Sequence, residues 1–196
     1  MPPSPLALVL IWILAGIQLV SAAPLGITFP ADAGVADVTQ APYHAVPDGK
    51  TDCTAAIQKA LDEKRSLIYL PNGTYLVSDT LRWGAGKSKG SAWKRQILQG
   101  QSENGVTIKL ADTTSGFNDA AQPKPVIWTG QAPAQRFRNG IRNLTVETGK
   151  GNAGAIGVQF IANNQGGMHH VTLRSRAMAA APSGSISATP MNRDRA

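Results

Sequence analysis

Short apolar runs between turn residues dominate the hydrophobic pattern of this chain. Leu67–Leu70 and residues 75–77 are two such runs, separated by Pro71-Asn72-Gly73, and 20 glycines punctuate the rest of the chain. Runs of this length, bounded by turn residues, are typical of β-strands. The pattern therefore predicts a chain built mainly of many short strands.

One segment departs from this pattern and predicts a helix over residues 54–64. Its apolar side chains fall on one helical face; they are Ala56, Ile57, Ala60 and Leu61. Asp52 or Thr51 precedes the run, where a side-chain oxygen can accept the free N–H groups of the first turn. Asp48-Gly49 predicts a turn. Residues 48–61 are therefore interpreted as a turn followed by a capped helix.

The same stretch raises two chemical alternatives, a metal site and a nucleophilic thiol. Asp48 and Asp52 lack the alternating oxygen ligands and the terminal glutamate of a calcium loop. Cys53, the one cysteine, lies at a helix start, which can lower the pKa of a thiol. No histidine lies near it in the sequence to act as a base. The structural interpretation is preferred to both alternatives.

A repeated form predicts stacked coils. Residues 140–146 (GIRNLTV) and 167–173 (GMHHVTL) share the form G-φ-x-x-φ-T-φ, where φ is apolar. A period in the twenties with one short strand per unit is typical of a solenoid. Residues 154–163 supply another strand between the two copies, so each coil would hold more than one. The solenoid pairs Leu144 with Val171 and Val146 with Leu173; the alternative is an antiparallel sandwich with evenly spaced strands.

Several polar residues look like candidates for chemistry. His169-His170 looks like a ligand pair, but neighbours in a strand point to opposite faces, which disfavours a shared ion. Asn143 is equivalent in the repeat to His170, which favours a column of stacked polar side chains. Three carboxylates are isolated in the sequence, namely Asp112, Asp119 and Glu147, and Glu147 is expected to be solvated at a strand end. We therefore predict no catalytic, cofactor-binding or metal-binding residue.

The first 22 residues predict a cleaved signal peptide. An apolar run over residues 6–20 is followed by small residues up to Ala22, after which cleavage is expected, although a basic segment before the run is missing. The run is short for a membrane span. The prediction is a secreted protein, extracellular or periplasmic, with no membrane association after cleavage. One cysteine allows no internal disulfide.

The formal net charge is +7, which fits acidic polysaccharide, anionic surfaces or nucleic acid, or solubility alone. Aromatic residues are few, at 6%, and no basic cluster interleaves with them, which predicts no nucleic-acid partner. Residues 82–95 mimic the end of a phosphate loop, but Leu81 replaces its first glycine, so a solvated basic loop is predicted. Trp83, Trp93 and Trp128 are candidate glycan platforms, although core or loop anchoring is the preferred interpretation.

Taken together, residues 35–75 resemble the N-terminal part of the pectate lyase superfamily of β-helix proteins. The group that the chain resembles within this superfamily is the rhamnogalacturonase/epimerase-like one, which also includes exo-β-glucanases and phage tailspikes. The matching residues are Asp37-Val38, Asp48-Gly49, Thr51-Asp52, Thr54, Ala56-Ile57-Gln58, Ala60-Leu61, Pro71, Gly73 and Tyr75. Cys53 stands where many members have a second aspartate. The likeness covers residues 35–175, and its specific part lies in the first third of that range.

The resemblance implies an all-β protein, a right-handed parallel β-helix whose N-terminal α-helix covers the open end of the first coil. It also implies an exported protein that acts on polysaccharide of the pectin, rhamnogalacturonan or glucan type. Such hydrolases use paired carboxylates, whereas lyases abstract a proton beside a uronate carboxylate. Both kinds of site lie on middle and later coils, and this chain supplies about three or four. A fragment that is inactive alone is expected; the alternative is a non-enzymatic module for adhesion, glycan binding or coat structure.

The tail, residues 176–196, breaks from the strand pattern because alanine, serine and proline dominate it. One interpretation is a disordered segment. The other is that the tail is read out of frame. Shifting each codon by one base allows a glycine-punctuated, strand-like sequence that resembles how family members continue. The nucleotide sequence tests this hypothesis, because a stop in the shifted frame soon after Ser175 would contradict it.

Overall fold

The computed structural model describes residues 27–84, 95–130 and 136–176. The predicted signal peptide, Trp93, most of the predicted basic loop and residues 177–196 lie outside these ranges. The elements, in chain order, are β1 Val35–Asp37, β2 Asp48–Asp52, α1 Thr54–Asp62, β3 Leu67–Leu70, β4 Gly73–Val77, β5 Leu81–Arg82, β6 Ile97–Gly100, β7 Val106–Leu110, β8 Lys124–Trp128, β9 Gly140–Glu147, β10 Ala155–Gln159 and β11 Gly167–Arg174. Within the described ranges, no helix has the length and apolar character needed to cross a membrane.

The strands stack on three faces of a coiled chain. The first face holds β1, β3, β6 and the first half of β9, and the second holds β2, β4, β7 and the second half of β9. The third face holds β5, β8 and β10, and β11 pairs with β9 along both halves. The pairs between successive coils are parallel. This arrangement confirms the predicted parallel β-helix and excludes the antiparallel sandwich.

The two copies of the repeated form lie directly above one another. Val171 is in register with Leu144 and Leu173 with Val146, as the repeat predicts. The threonine of the form belongs to an outward-facing column on the second face, made of Thr74, Thr107, Thr145 and Thr172. A residue type that recurs at equivalent positions of successive coils therefore points the same way in each coil, here away from the core.

The interior is filled by apolar columns. Ile68, Leu98 and Ile141 stack in register on the first face, and all three are fully buried. The second face supplies Tyr75, in register with Ile108. Burial of such columns is the main stabilising contribution available to a solenoid, because each coil buries its apolar side only against its neighbours.

The helix α1 takes the place of a strand on the third side of the first coil. It buries Ile57, Ala60 and Leu61, and it ends two residues before the predicted position. The side-chain amide of Gln58 donates a hydrogen bond to the Arg82 carbonyl and accepts one from the Arg82 N–H, both at 2.9 Å. One amide thus pairs with the free edge of β5 as a strand backbone would, which confirms the capping role.

The start of the helix differs in detail from the prediction. Cys53 holds the N-cap position and makes no side-chain cap bond, while Asp52 Oδ1 accepts the Thr54 N–H at 2.8 Å. Of the two predicted capping residues, Asp52 is therefore the one whose carboxylate accepts a first-turn N–H. The turn predicted at Asp48-Gly49 is present as a local turn within β2, where Asp48 Oδ1 accepts the Lys50 N–H at 2.8 Å and the Thr51 N–H at 2.7 Å. Gly49 has a φ of 72° there, and an irregular register absorbs the left-handed residue inside the strand.

Candidate functional site

A column of outward-facing side chains runs along the first face from the first coil to the last described one. Its members, in register, are Asp37, Tyr69, Gln99, Arg142 and His169. Strand alternation sends these residues outward while their chain neighbours fill the core. The column changes from acidic and aromatic at the N-terminal end to basic at the last described coil.

The N-terminal end of this column is covered. Tyr69 is only 4% exposed, and the Phe29 ring packs edge-on against it at 4.8 Å between ring centroids. Burial, and then the negative charge of Asp37, raise the pKa of the Tyr69 hydroxyl. Tyr69 is therefore the covered member of the column, whereas Gln99 is part-exposed.

The accessible end of the column lines a groove with a cavity volume of about 410 Å³, which we call the Arg142 groove. Its lining residues are Gln99, Arg142, Asn143, His169 and His170. Arg142 lies part-buried between the other residues of the column, and its Nε is fully buried with no hydrogen-bond partner. A buried donor without a partner of this kind is destabilising for the fold.

A left-handed corner places both histidines in this groove. Asn143 and His170 have φ values of 51° and 53°, and each turns the chain from the first face to the second within one residue. The predicted stacking of these two positions is confirmed. The prediction that His169 and His170 point to opposite faces is wrong, because the alternation of a regular strand does not hold across a left-handed residue.

Glu103, on the loop between β6 and β7, holds one edge of the groove. Its Oε1 accepts a hydrogen bond from the Thr172 hydroxyl at 2.8 Å, and its carbonyl accepts one from the Thr145 hydroxyl at 3.3 Å. Glu103 Oε2 lies 3.8 Å from His170 Nδ1. This single loop residue therefore ties three successive coils together and brings the groove a carboxylate at its rim.

A second groove, of about 540 Å³, lies between α1 and the turn that leads to the third face. Its lining residues are Asp52, Thr54, Ala55, Gln58, Ser78, Asp79, Thr80 and Arg82. Partial burial opposes ionisation of Asp52, but hydrogen bonds from the Ser78 and Thr54 hydroxyls and the Thr54 N–H outweigh it and lower the pKa of its carboxyl. Asp52 therefore links the first coil to the second as an ionised acceptor.

The carboxylate of Asp79 also has a charged partner. Its carboxylate lies 2.7 Å from Lys124 Nζ, which in turn lies 4.3 Å from the centroid of the Phe117 ring. Partial burial opposes ionisation, but the lysine and the Thr80 N–H lower the pKa of Asp79 overall. The two acids of the second groove thus hold the fold together, and both are committed to local partners.

The thiol of Cys53 is enclosed. It is 1% exposed and donates to the Val46 carbonyl at 3.2 Å. Burial raises the pKa of the thiol, the hydrogen bond with the Val46 carbonyl opposes this, and the nearby charge of Asp52 adds to the rise. A protonated, enclosed thiol does not act as a nucleophile. The helix-start interpretation is confirmed against the nucleophile.

The remaining predicted candidates have structural roles. Trp83 and Trp128 are buried, which confirms core anchoring over a glycan platform. Asp112 accepts the Lys150 N–H at 2.9 Å, and Asp119 accepts the Ala121 N–H at 2.8 Å on an exposed turn.

Glu147 is not solvated as predicted. It is 8% exposed and lies 3.3 Å from Arg176 Nε. Glu147 is covered because it is in register with Lys109 of the preceding coil and with Arg174 of the next coil, which passes over this strand end. In the described part of the chain, no group of three or more His, Cys, Asp or Glu residues could hold a metal ion.

The sequence did not single out Gln99, Arg142 or Glu103. The repeated form contains the signal for Arg142, because the position before its corner residue is Arg in one copy and His in the other. Gln99 and Glu103 carry no local signal, since their coil has a longer loop at the same corner.

Residues 38–190 match the family described as rhamnogalacturonase A/epimerase, pectate lyase-like. The chain belongs to this family. The predicted membership is thereby confirmed. No curated protein matches the chain.

Three solved structures are similar to this chain. The A-module of mannuronan C-5 epimerase AlgE6 from Azotobacter vinelandii has 22% identity and a TM-score of 0.49 over 71% of this chain and 38% of its own. ORF18 of Geobacillus virus E2 has 22% identity and a TM-score of 0.47 over 81% and 26%. PfbA, a surface adhesin of Streptococcus pneumoniae, has 23% identity and a TM-score of 0.48 over 71% and 33%. The chain therefore spans well under half the length of each.

Proposed function

We propose that this chain is the N-terminal part of an exported β-helix protein that acts on polysaccharide, and that it is inactive by itself. The observation that carries the proposal is the family match over residues 38–190, in a family described by rhamnogalacturonase and epimerase. The signal-like first 22 residues support export. The Arg142 groove is open and draws its lining from successive coils, a shape that suits a polymer better than an enclosed small molecule.

The state of the carboxylates supports the absence of catalysis in this part. A hydrolase of this kind needs an acid and a base that are free to exchange protons with substrate. Asp52 and Asp79 are held by hydroxyls and by Lys124, and Glu103 and Glu147 by Thr172 and Arg176. We therefore propose a binding role for the described coils and assign the catalytic groups to coils outside them.

The experiment is a paired assay of the purified chain on polygalacturonate, rhamnogalacturonan and a neutral β-glucan. Binding is measured by retardation in gels that contain the polysaccharide. Turnover is measured by new reducing ends, by ultraviolet absorbance of unsaturated ends, and by epimer composition from NMR. We expect retardation by at least one acidic polymer and no product. Product formation would overturn the inactivity, and neither binding nor product would overturn the polysaccharide role.

The second candidate is a non-enzymatic module for adhesion, glycan binding or coat structure. The same engaged carboxylates are compatible with it, because a binding module needs no free acid or base. A longer homologous protein separates the two candidates. Product from the longer protein on the polymer that retards this chain supports the enzyme, whereas retardation alone supports the module.

A further inference from the structure

We propose that Asn72 is an N-glycosylation site, and that the exported chain carries a glycan there and not at Asn143. Both asparagines open an Asn-X-Thr tripeptide, which ends at Thr74 in one case and at Thr145 in the other. This tripeptide is the acceptor form of the oligosaccharyltransferase in eukaryotic secretory pathways. The inference rests on the proposed function in one respect, because only an exported chain meets that enzyme. The choice between the two asparagines stands on the structure.

The two tripeptides lie at the same corner of the coiled chain, where the first face turns into the second. Asn72 lies between β3 and β4, and Asn143 lies at the corner inside β9. The coil of β6 and β7 lies between them and pairs with both neighbouring coils. The two asparagines therefore share their place in the coil, and they differ in what packs around them.

Asn72 is exposed, on a turn that the next coil holds through other atoms than its side-chain nitrogen. The Asn72 N–H donates to Gln101 Oε1 at 3.0 Å, and Asn72 Oδ1 accepts a hydrogen bond from the Ser102 hydroxyl at 2.8 Å. The oxygen and nitrogen of a side-chain amide diverge from the same carbon, so the bond to Ser102 points Nδ2 away from this loop. A glycan on Nδ2 therefore leaves both hydrogen bonds in place.

The loop of the next coil also fits closely against this turn. The Gly73 N–H donates to the Gly105 carbonyl at 2.8 Å, and a Cβ on Gly105 would overlap Asn72 Oδ1. Thr74, which supplies the hydroxyl of the tripeptide, is part-exposed on the second face. The fold thus fixes the turn and leaves Asn72 and Thr74 at the surface, as an N-linked glycan requires.

The second tripeptide is enclosed by neighbouring strands. A Cβ on Gly100 of the preceding coil would overlap the Asn143 carbonyl, and Leu144 is fully buried. Thr145 is 1% exposed and donates its hydroxyl to the Glu103 carbonyl at 3.3 Å. The strand β11 pairs with β9 on the other side. A glycan at Asn143 would have to fit between two packed coils, so the folded chain disfavours it.

The reaction joins a preformed oligosaccharide to the side-chain amide. Nδ2 of Asn72 attacks C1 of the first sugar of a glycan that is carried on a lipid diphosphate. The new C–N bond replaces the C–O bond to the diphosphate, which leaves with the bonding electron pair. One amide proton passes to a base of the transferase, and Nδ2 keeps the other. No oxidant or reductant takes part.

The test is secretion of the full chain from yeast in two forms, one with its own first 22 residues and one with a yeast signal peptide in their place. Secreted and cell-retained chains are treated in heavy-oxygen water with an amidase that removes N-linked glycans, which marks each formerly modified asparagine. Mass spectrometry of the peptides then gives the occupancy at Asn72 and at Asn143. We expect most of the secreted chain to carry a glycan at Asn72 and nearly all of it to be unmodified at Asn143.

Matched variants identify the acceptor. Thr74→Val removes the hydroxyl of the tripeptide, leaves Asn72 itself unchanged, and should abolish the glycan, whereas Thr74→Ser should retain it. Asn72→Gln should also abolish the glycan, and Asn143→Gln should leave the occupancy at Asn72 unchanged. If Asn72→Gln fails to fold, the comparison of Thr74→Val with Thr74→Ser carries the test.

Three results would overturn the inference: no glycan at Asn72 of the chain with the yeast signal peptide, an Asn72 glycan confined to its cell-retained fraction, or occupancy at Asn143 at least equal to that at Asn72. Failure of the proposed function looks different. If export fails, the chain with its own first residues stays in the cell unmodified, while the chain with the yeast signal peptide is secreted with its glycan at Asn72. If the polysaccharide role fails, the gels show no retardation and the occupancy at Asn72 is unchanged.

Discussion

Leu173 lies in register directly above Val146 on the adjacent parallel strand, yet Leu173 is 52% exposed and Val146 is fully buried. The two side chains occupy the same core position in successive coils, and among the described residues a further coil covers Val146 and none covers Leu173. The pair thus compares one core position on the same face with and without a covering coil.

The first prediction concerns this pair. Val146→Ala should lower the free energy of unfolding by about 2 kcal/mol, since it removes two buried methyl groups and leaves a cavity. Leu173→Ala deletes more carbon but from an exposed position, and should cost less than about 1 kcal/mol. Urea unfolding of both variants provides the measurement. Equal losses would mean that Leu173 is covered in solution by a further segment or a second molecule.

Much of the fold could be predicted from the sequence, for reasons visible in particular residues. Leu67–Leu70 was predicted to the residue because an apolar run ends at Pro71-Asn72-Gly73, a strong turn signal. The pairing of Leu144 with Val171 followed from two copies of one short form. Signals of this kind are local or repeated, so they can be recognised in a single sequence.

The corner and the groove could not be predicted in the same way. Asn143 and His170 turn the chain without a glycine or proline, so β9 reads as one straight strand although it serves two faces. The groove requires the register between coils, because Gln99 meets Arg142 only through the pairing of β6 with β9. Glu147 was wrongly expected in solvent for the same reason, since Arg176 of the next coil covers it.

The second prediction concerns the amide that closes the edge of β5. Gln58→Ala should lower the free energy of unfolding by about 1–3 kcal/mol, because the backbone N–H and carbonyl of Arg82 lose both partners. Gln58→Met keeps the length of the side chain and should show a similar loss. Gln40→Ala, at an exposed glutamine, should stay within about 0.5 kcal/mol. Thermal or urea unfolding checks all three, and a harmless Gln58→Met would show that packing matters more than pairing.

The third prediction concerns Cys53. Cys53→Ser should keep the fold and change the free energy of unfolding by less than about 1 kcal/mol, because a serine hydroxyl can donate to the Val46 carbonyl as the thiol does. Because burial raises the thiol pKa, the native wild-type chain should react with a thiol reagent far more slowly than the unfolded chain. Fast native labelling at neutral pH would contradict the enclosed, protonated thiol.

The last prediction concerns acid stability and Asp52. Its folded-state pKa lies below the ordinary value of 3.8, because hydrogen bonds from Ser78 and Thr54 outweigh the opposing effect of partial burial. An ionised group of this kind contributes stability that is fully present above pH 3.8 and is lost as the pH falls towards the lowered value. The native chain should therefore lose stability below this pH.

Asp52→Asn isolates that contribution. The variant should be less stable than the wild-type chain at about pH 6, and the two should converge as the pH falls through the lowered pKa of Asp52, because protonation removes the same charge from the wild-type chain. In the variant, the fall in the free energy of unfolding with decreasing pH should become shallower and not disappear. Hydrogen bonds also lower the pKa of Asp48, and they oppose the effect of burial on the pKa of Asp79. Asp32→Asn removes a charge from an exposed position and should leave the slope unchanged. Urea midpoints across this range give the comparison, and parallel curves for Asp52→Asn and the wild-type chain would show that Asp52 does not link the two coils as an ionised acceptor.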